Sequence, residues 1–115
     1  MAEISVTVYQ AGRAAASGAN YTDNKTAATS GNNYNIPNNG LVGVILECTT
    51  GGNATFVTQN TIDIGGLAVS DLTVTTTAAK IQLWGGFPPL YYNKADGTMV
   101  VTVSAATNLF AFSLS

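Results

Sequence analysis

Side chains that could carry out chemistry are few in this sequence, and the acids are the first to consider. The chain contains six acidic residues and no histidine, which removes the commonest general base and metal ligand. Only Asp63 and Asp71 flank one predicted corner, where two carboxylates could hydrolyse a glycosidic bond. The favoured interpretation is that both acids cap turns by accepting hydrogen bonds from local backbone N–H groups.

A nucleophile and a metal site have equally little support. Cys48 is the only cysteine and has no partner base, and the apolar run LVGVILEC around it predicts a buried, inert thiol. Asn93 and Asp96 in NKADG supply too few oxygen ligands for a calcium loop. We therefore expect no enzymatic activity, no catalytic or metal-binding residues and no cofactor.

Low charge is the outstanding feature of the composition. Charged residues make up 9% of the 115-residue chain, against roughly 25% in an average protein. A nearly neutral surface rich in Thr, Asn, Ser and Gly costs little to desolvate, which favours contact with other protein. The alternative is a peculiarity of composition without functional meaning. Four basic residues are too scattered to form a phosphate-binding stripe, so we expect no nucleic-acid partner: Arg13, Lys25, Lys80 and Lys94.

No targeting or membrane segment is recognisable. The N-terminal stretch MAEISVTVYQ lacks the basic segment of a secretory signal. No apolar run approaches the roughly 18 residues that a membrane helix needs. We expect a soluble protein that is synthesised in the cytoplasm and has no membrane partner.

The elements that must position these residues are strands almost throughout. Ile4, Val6 and Val8 alternate with polar neighbours, and the same period of two recurs in short segments from residue 41 onward. These segments are separated by turn residues and are rich in Val, Ile, Thr and Phe. We expect an all-β, compact, jelly-roll-like sandwich of seven to eight short antiparallel strands. An immunoglobulin-like topology is the alternative.

One long segment interrupts this pattern near the N-terminus. Residues 11–35 are small, polar and aperiodic, which predicts a long loop or arm. The predicted organisation is therefore an N-terminal strand at 1–10, a polar arm at 11–35 and a β-sandwich domain at 36–115.

The segment GGFPPLYYN, residues 85–93, is predicted to form a rigid corner. Its glycines permit a tight turn, and its prolines restrict the backbone and lack an N–H donor. Phe87 and Leu90 are expected to close the open end of the sandwich. Tyr91 and Tyr92 cannot both point inward from an extended segment, so one of them should be exposed.

The C-terminal two-thirds of the sequence carries a distinctive combination of motifs. A Gly-Leu-Ala-Val-Ser-Asp segment leads through a Thr/Val strand to the corner at 85–89, and an Asn-Lys-Ala-Asp-Gly turn and two final strands follow. In this combination, the chain resembles a family of small virion structural proteins encoded beside the capsid genes of tailed bacteriophages, which includes head decoration or cement proteins. Residues 1–34 take no part in the resemblance.

The resemblance implies a non-enzymatic protein on the surface of the virion capsid. Decoration proteins of this size are commonly small β-sandwiches that bind the phage major capsid protein, most often as homotrimers, and a dimer is the alternative. The polar arm would become ordered on the shell and connect neighbouring capsid subunits. The protein would be synthesised in the cytoplasm of the bacterial host and end in the virion.

The predicted contacts with the capsid or with a second subunit are mainly aromatic residues and prolines. They are Tyr9, Arg13, Tyr21, Tyr34, Trp84, Phe87, Pro88, Pro89, Tyr91 and Tyr92. Two other functions stay open. The chain could be a tail or fibre component of the virion, or a carbohydrate-binding module that uses Trp84, Tyr91 or Tyr92 as an aromatic platform.

Overall fold

Ten strands and two single-turn helices occur in the parts of the chain that a computed structural model describes, residues 3–10, 21–58 and 71–114. In chain order they are β1 (Glu3–Ser5), β2 (Val8–Gln10), α1 (Tyr21–Asn24), β3 (Thr26–Ala28), β4 (Asn33–Pro37), β5 (Val42–Cys48), β6 (Gly52–Val57), β7 (Leu72–Thr76), β8 (Lys80–Gly85), α2 (Pro89–Tyr92), β9 (Thr98–Val103) and β10 (Thr107–Ser113). Neither helix is long and apolar enough to cross a membrane.

The strands form two sheets that pack face to face around one core. The first sheet has the order β1-β4-β9-β6-β7, and the second has the order β2-β10-β5-β8 with β3 also beside β10. From β4 to β10 the chain changes sheet at every connection between described strands except that from β6 to β7. The predicted compact all-β sandwich is confirmed.

The number and direction of the strands differ from the predicted seven to eight antiparallel strands. Ten strands are described, and the pairs β1–β4 and β2–β10 are parallel. The strand predicted at 1–10 divides around the buried Val6, so that β1 joins the first sheet and β2 joins the second. Parallel pairing is feasible because each pair is separated in the chain by more than the dozen residues that a parallel crossover needs.

The core lies between the sheets and consists of alternate residues of the longer strands. Its largest fully buried side chains are Tyr34, Phe56, Ile36, Leu46, Met99, Leu109, Val44, Val101 and Cys48. The Cys48 thiol is buried as predicted, and its Sγ donates to the carbonyl oxygen of Ala106 at 3.4 Å. It therefore fills space in the core.

The second half of the predicted arm belongs to the sandwich. Residues 21–35 contain α1, β3 and most of β4, and these two strands pair with β10 and β9. Tyr34 holds this segment because its ring is buried in the core and its hydroxyl accepts a hydrogen bond from the Thr29 N–H at 2.7 Å. Tyr34 thus anchors β4 at the end of a segment whose side chains are mostly small and polar. The first half of the predicted arm, 11–20, lies outside the described residues.

Candidate functional site

The acids considered for chemistry have structural roles where the structure describes them. Asp71 Oδ1 accepts hydrogen bonds from the backbone N–H and the hydroxyl of Thr58, at 2.8 and 2.9 Å. Asp96 accepts the corresponding pair from Thr98 at 3.1 and 2.7 Å, and these bonds hold the pKa of Asp96 below its usual value. Asp63 lies outside the described residues. Within the described ranges, no group of three His, Cys, Asp or Glu residues could hold a metal ion.

The corner at 85–93 is closed by Phe87 and not by Leu90. Phe87 is buried, and its ring stacks on Phe56 with 4.5 Å between the centroids, as predicted for a residue that closes the sandwich. Leu90 is 68% exposed, so its predicted burial is wrong. The cause is a helical turn at Pro89–Tyr92 in place of extended backbone, with proline at its first position.

Two asparagines that sequence reasoning missed attach this corner to its neighbours. Asn38 is buried, and its Nδ2 donates to the carbonyl oxygen of Phe87 at 3.0 Å and to Asn93 Oδ1 at 2.8 Å. Asn93 Nδ2 donates to the carbonyl oxygens of Asn38 and Gly97 at 2.7 and 3.2 Å. The sequence marks both asparagines as turn residues, but no signal in it indicates that the two turns meet.

Several residues predicted as contacts pack toward the core. Tyr34 and Phe87 are buried and have almost no surface left for a partner. Trp84 points inward from β8, where its ring centroid lies 6.3 Å from that of Phe56. Tyr92 packs edge-on against Phe87 at 5.3 Å. The physical reason is that a small sandwich needs its large aromatic side chains to fill the core.

Other predicted contacts lie at the surface of the corner. Pro88 and Pro89 are exposed there, and Tyr91 is half-buried beside them. Arg13 lies outside the described residues. The corner therefore retains a smaller exposed surface than the sequence suggested.

One half of the outer face of the second sheet is covered by an aromatic cluster, which consists of Tyr9, Tyr21 and Phe110. The Tyr9 ring stacks on Phe110 at 5.4 Å between centroids, and the Tyr21 ring meets Phe110 edge-on at 5.6 Å. The Tyr21 hydroxyl donates to Glu47 Oε1 at 2.9 Å. Burial, followed by this hydrogen bond and the negative charge of Glu47, raises the pKa of Tyr21 to about 12. The side chains of Tyr9, from the neighbouring strand β2, and of Tyr21, from helix α1, thus cover Phe110.

The other half of the outer face is an open apolar strip, which consists of Leu41, Ile81, Leu83 and Leu114. These four side chains are 53–62% exposed. Three of them, together with Phe112, line a hollow of about 440 Å³, and none of the described residues around this hollow is charged. Contiguous exposed apolar surface of this kind marks sites of contact with other molecules.

Strand β8 creates much of the strip because its aliphatic side faces outward. Trp84 points to the core, so alternation places Ile81 and Leu83 on the outer face, opposite Glu47 and Ile45 of β5. The sequence predicts this alternation but does not indicate which set of side chains faces the core. Sequence reasoning therefore missed the strip. The available signal was that β8 carries large apolar residues on both of its sides.

Gly43 connects the two halves of the outer face. It lies opposite Phe112 in the β5–β10 pair, and a Cβ atom on Gly43 would come within 2.5 Å of the Phe112 ring. The Phe112 ring also stacks near Phe110, at 6.4 Å between centroids, and lines the hollow on its other side. The missing side chain of Gly43 therefore lets Phe112 lie over the strand between the aromatic cluster and the apolar strip.

Comparison with known proteins identified no similar protein. No family model matches the sequence, and no curated protein or solved structure matches it. The resemblance to phage virion proteins stays a prediction, and the outer face of the second sheet supplies the structural basis for a functional proposal.

Proposed function

We propose that this chain is a non-enzymatic virion structural protein that binds the outside of a mature phage capsid and cements neighbouring subunits of the major capsid protein. The observation that carries the proposal is the apolar strip, four large aliphatic side chains exposed on the sheet face of a chain with only 9% charged residues. Such a surface favours association, whereas proteins that stay apart in solution usually carry more charge and less exposed apolar area.

The strip suits attachment to a protein surface better than capture of a small ligand. Apart from the Trp84 indole, the described residues around the hollow offer no polar side chain to orient a ligand. A shell subunit can instead bury the strip as a whole. Burial of Ile81 and Leu83 would contribute about 1–2 kcal/mol each. This is weak for one copy, but copies held together on a lattice act at high effective concentration.

The corner at 85–93 would extend this contact. Gly85 and Gly86 line the same hollow as Leu83, and the exposed Pro88 and Pro89 follow directly. The hydrogen bonds of Asn38 and Asn93 hold the corner in place before any partner arrives. A pre-organised contact loses less conformational entropy on binding.

Two other functions can be distinguished from this one, a tail or fibre component by its location in the virion and a carbohydrate-binding module by its ligand. A tail or fibre component would use the same apolar strip, so only the position in the virion distinguishes it. The carbohydrate-binding module has less support, because Trp84 and Tyr92 pack toward the core. An exposed aromatic platform would need those rings at the surface.

The first test is the location of the chain on virus particles of the phage that encodes it. Antibody-labelled electron microscopy of purified particles should show label distributed over the head. Label confined to the tail would overturn the cement function in favour of a fibre component. Intact particles without label would exclude a virion role altogether.

A binding measurement connects this location to the apolar strip. Heads that lack the chain are mixed with purified protein, and bound protein is measured by co-sedimentation. The variant Ile81→Ser/Leu83→Ser should bind about 100-fold more weakly, because it removes most of the aliphatic area of β8. Leu72→Ser is the matched control, since Leu72 is an exposed leucine on β7 of the first sheet. Equal binding by the double variant and the control would exclude the strip as the contact.

A further inference from the structure

We propose that two copies of this chain pair through strand β8, antiparallel and about a two-fold axis, so that their second sheets become continuous. Among the described strands, β8 pairs on one side only, with β5. A strand at the edge of a sheet presents backbone N–H and C=O groups that another strand can bind.

Strand β8 differs from the other edges of the two sheets. The strands β1, β2 and β3 have three residues each, and β1 carries Glu3. Strand β7 has five residues, but three of them are threonine. Strand β8 has six residues and no proline, and it exposes Ile81 and Leu83 at 61% each. Proteins protect edges by shortness, charge or proline, so β8 is the least protected described edge, with only Lys80 at its first position.

The aliphatic residues of β8 specify the register of the pairing. When the two-fold axis passes through Gln82, Ile81 of each copy lies directly opposite Leu83 of the other copy on the outer face. Registers centred on Ile81 or on Leu83 keep only one aliphatic pair in place of two. The register centred on Gln82 therefore buries the most apolar surface.

The distribution of charge makes a second copy the fitting occupant of this edge. Lys80 is the only charged residue of β8. In the register centred on Gln82 it lies opposite Trp84 of the second copy, about 14 Å along the strand from the other Lys80. This separation exceeds the Debye length of roughly 8 Å at physiological salt. The four residues of the apolar strip carry no charge, and Glu47, which lies opposite Ile81, already accepts a hydrogen bond from the Tyr21 hydroxyl. A second copy supplies both a free edge and matching aliphatic side chains.

The pairing would place two apolar strips side by side on one continuous face. It uses the backbone of β8 and the flanks of Ile81 and Leu83, and it leaves Leu41, Leu114 and the hollow accessible. Two copies would thus present a doubled surface to a shell. The pairing does not depend on head binding, because the purified chain can be tested alone. It predicts a dimer, which is the alternative to the homotrimer that the family resemblance implies as the usual state.

The test is the oligomeric state of the purified full chain, measured by analytical ultracentrifugation over a concentration series. The unsubstituted chain should form a concentration-dependent dimer. Ile81→Lys/Leu83→Lys places lysine opposite lysine twice and should weaken the dimer at least about tenfold. Ile81→Lys/Leu83→Glu places lysine opposite glutamate in the proposed register and should restore the dimer at low salt. Leu41→Lys is the control, because it charges the strip away from the β8 edge, and it should leave the dimer intact.

Each outcome bears on the pairing. A monomer at every concentration up to the solubility limit, or a trimer, would overturn it. Failure of Ile81→Lys/Leu83→Glu to recover association would overturn the register. Circular dichroism melting of each variant separates dissociation from unfolding. If the double lysine variant does not fold, Leu83→Lys alone provides the same comparison against Leu41→Lys.

Discussion

The two halves of the outer face of the second sheet are both largely apolar, one aromatic and the other aliphatic, and they differ in what lies over them. In the aromatic cluster, Phe110 lies beneath Tyr9 and Tyr21 and is 2% exposed. In the apolar strip, Leu83 is 61% exposed and no described segment of the chain covers it. Both halves belong to one sheet, so the difference comes from the rings of Tyr9 in the neighbouring strand β2 and of Tyr21 in α1, which pack on Phe110.

Because of this difference, the covered half should contribute to the folding equilibrium and the open half to an association equilibrium. Apolar area that the chain covers itself stabilises the folded state, whereas area left open can stabilise only an association. Substitutions in the aromatic cluster should therefore change the free energy of unfolding. Substitutions in the apolar strip should change binding and leave unfolding nearly unaltered.

The largest expected change in the free energy of unfolding comes from removing the buried ring of the aromatic cluster. Phe110→Ala removes the ring on which Tyr9 and Tyr21 pack and should lower the free energy of unfolding by about 3–5 kcal/mol. Leu83→Ala in the open half is the matched variant and should change it by less than about 0.5 kcal/mol. Urea unfolding at low protein concentration measures the free energy of unfolding of both variants. Similar losses in the two variants would contradict the division into a covered half and an open half.

A smaller effect is expected where the two halves meet. Gly43→Ala should lower the free energy of unfolding by about 1–3 kcal/mol, because its Cβ would lie 2.5 Å from the Phe112 ring and displace it. Gly85→Ala is a close control. Gly85 lies opposite Gly43 in the β5–β8 pair, but its Cβ would meet its nearest neighbour at an ordinary 3.5 Å. Thermal melting should give a lower melting temperature for Gly43→Ala than for Gly85→Ala. Equal melting temperatures would show that Phe112 can move without loss of stability.

The smallest effect concerns the hydrogen bond at the rim of the cluster. Tyr21→Phe removes the donor to Glu47 and should cost about 1 kcal/mol near neutral pH. The pKa of Tyr21 is about 12 in the folded chain, against an ordinary value of 10. The folded state therefore keeps the phenolic proton after the unfolded chain has begun to lose it. This contribution is fully present below pH 10 and is lost as the pH rises through about 12.

The stability difference between the unsubstituted chain and Tyr21→Phe should consequently narrow from pH 10 to pH 12. Urea unfolding at a series of pH values measures this narrowing. Glu47→Gln keeps an acceptor for the hydroxyl but removes the negative charge, so it should weaken the pH dependence. A difference that stays constant across this range would mean that the hydroxyl of Tyr21 is not held as the structure describes.

The fold class could be predicted from the sequence because each half-buried strand carries its own pattern. In β9 and β10 the side chains of Met99, Val101, Leu109 and Ala111 alternate with neighbours of the opposite face, and all four are buried in the core. Residues 21–35 lack such a pattern, because their place depends on backbone pairing with β9 and β10 and on the aromatic anchors Tyr21 and Tyr34. A strand that is held in this way does not produce an alternating pattern in its own sequence.

The candidate site was harder to predict because its decisive features are not local. Alternation in β8 defines two sets of side chains, and only the inward position of Trp84 shows that Ile81 and Leu83 face outward. Leu90 was misassigned for a different reason. The backbone angle of Pro88, φ −63°, suits both extended chain and the first turn of a helix, so prolines alone could not decide between them. The paired amides of Asn38 and Asn93 are 55 residues apart in the chain.

The position of β10 has a consequence for how the chain is made. This strand pairs with β2, β3 and β5, so it connects the N-terminal elements to the rest of the second sheet. It is also the last described strand to leave the ribosome. Until residues 107–113 emerge, β2 and β3 have no neighbour among the described strands of the second sheet, and β5 lacks the described strand on one of its sides. The second sheet therefore cannot be completed during translation of the preceding residues, and the nascent chain acquires its sandwich only after its last described strand has been synthesised.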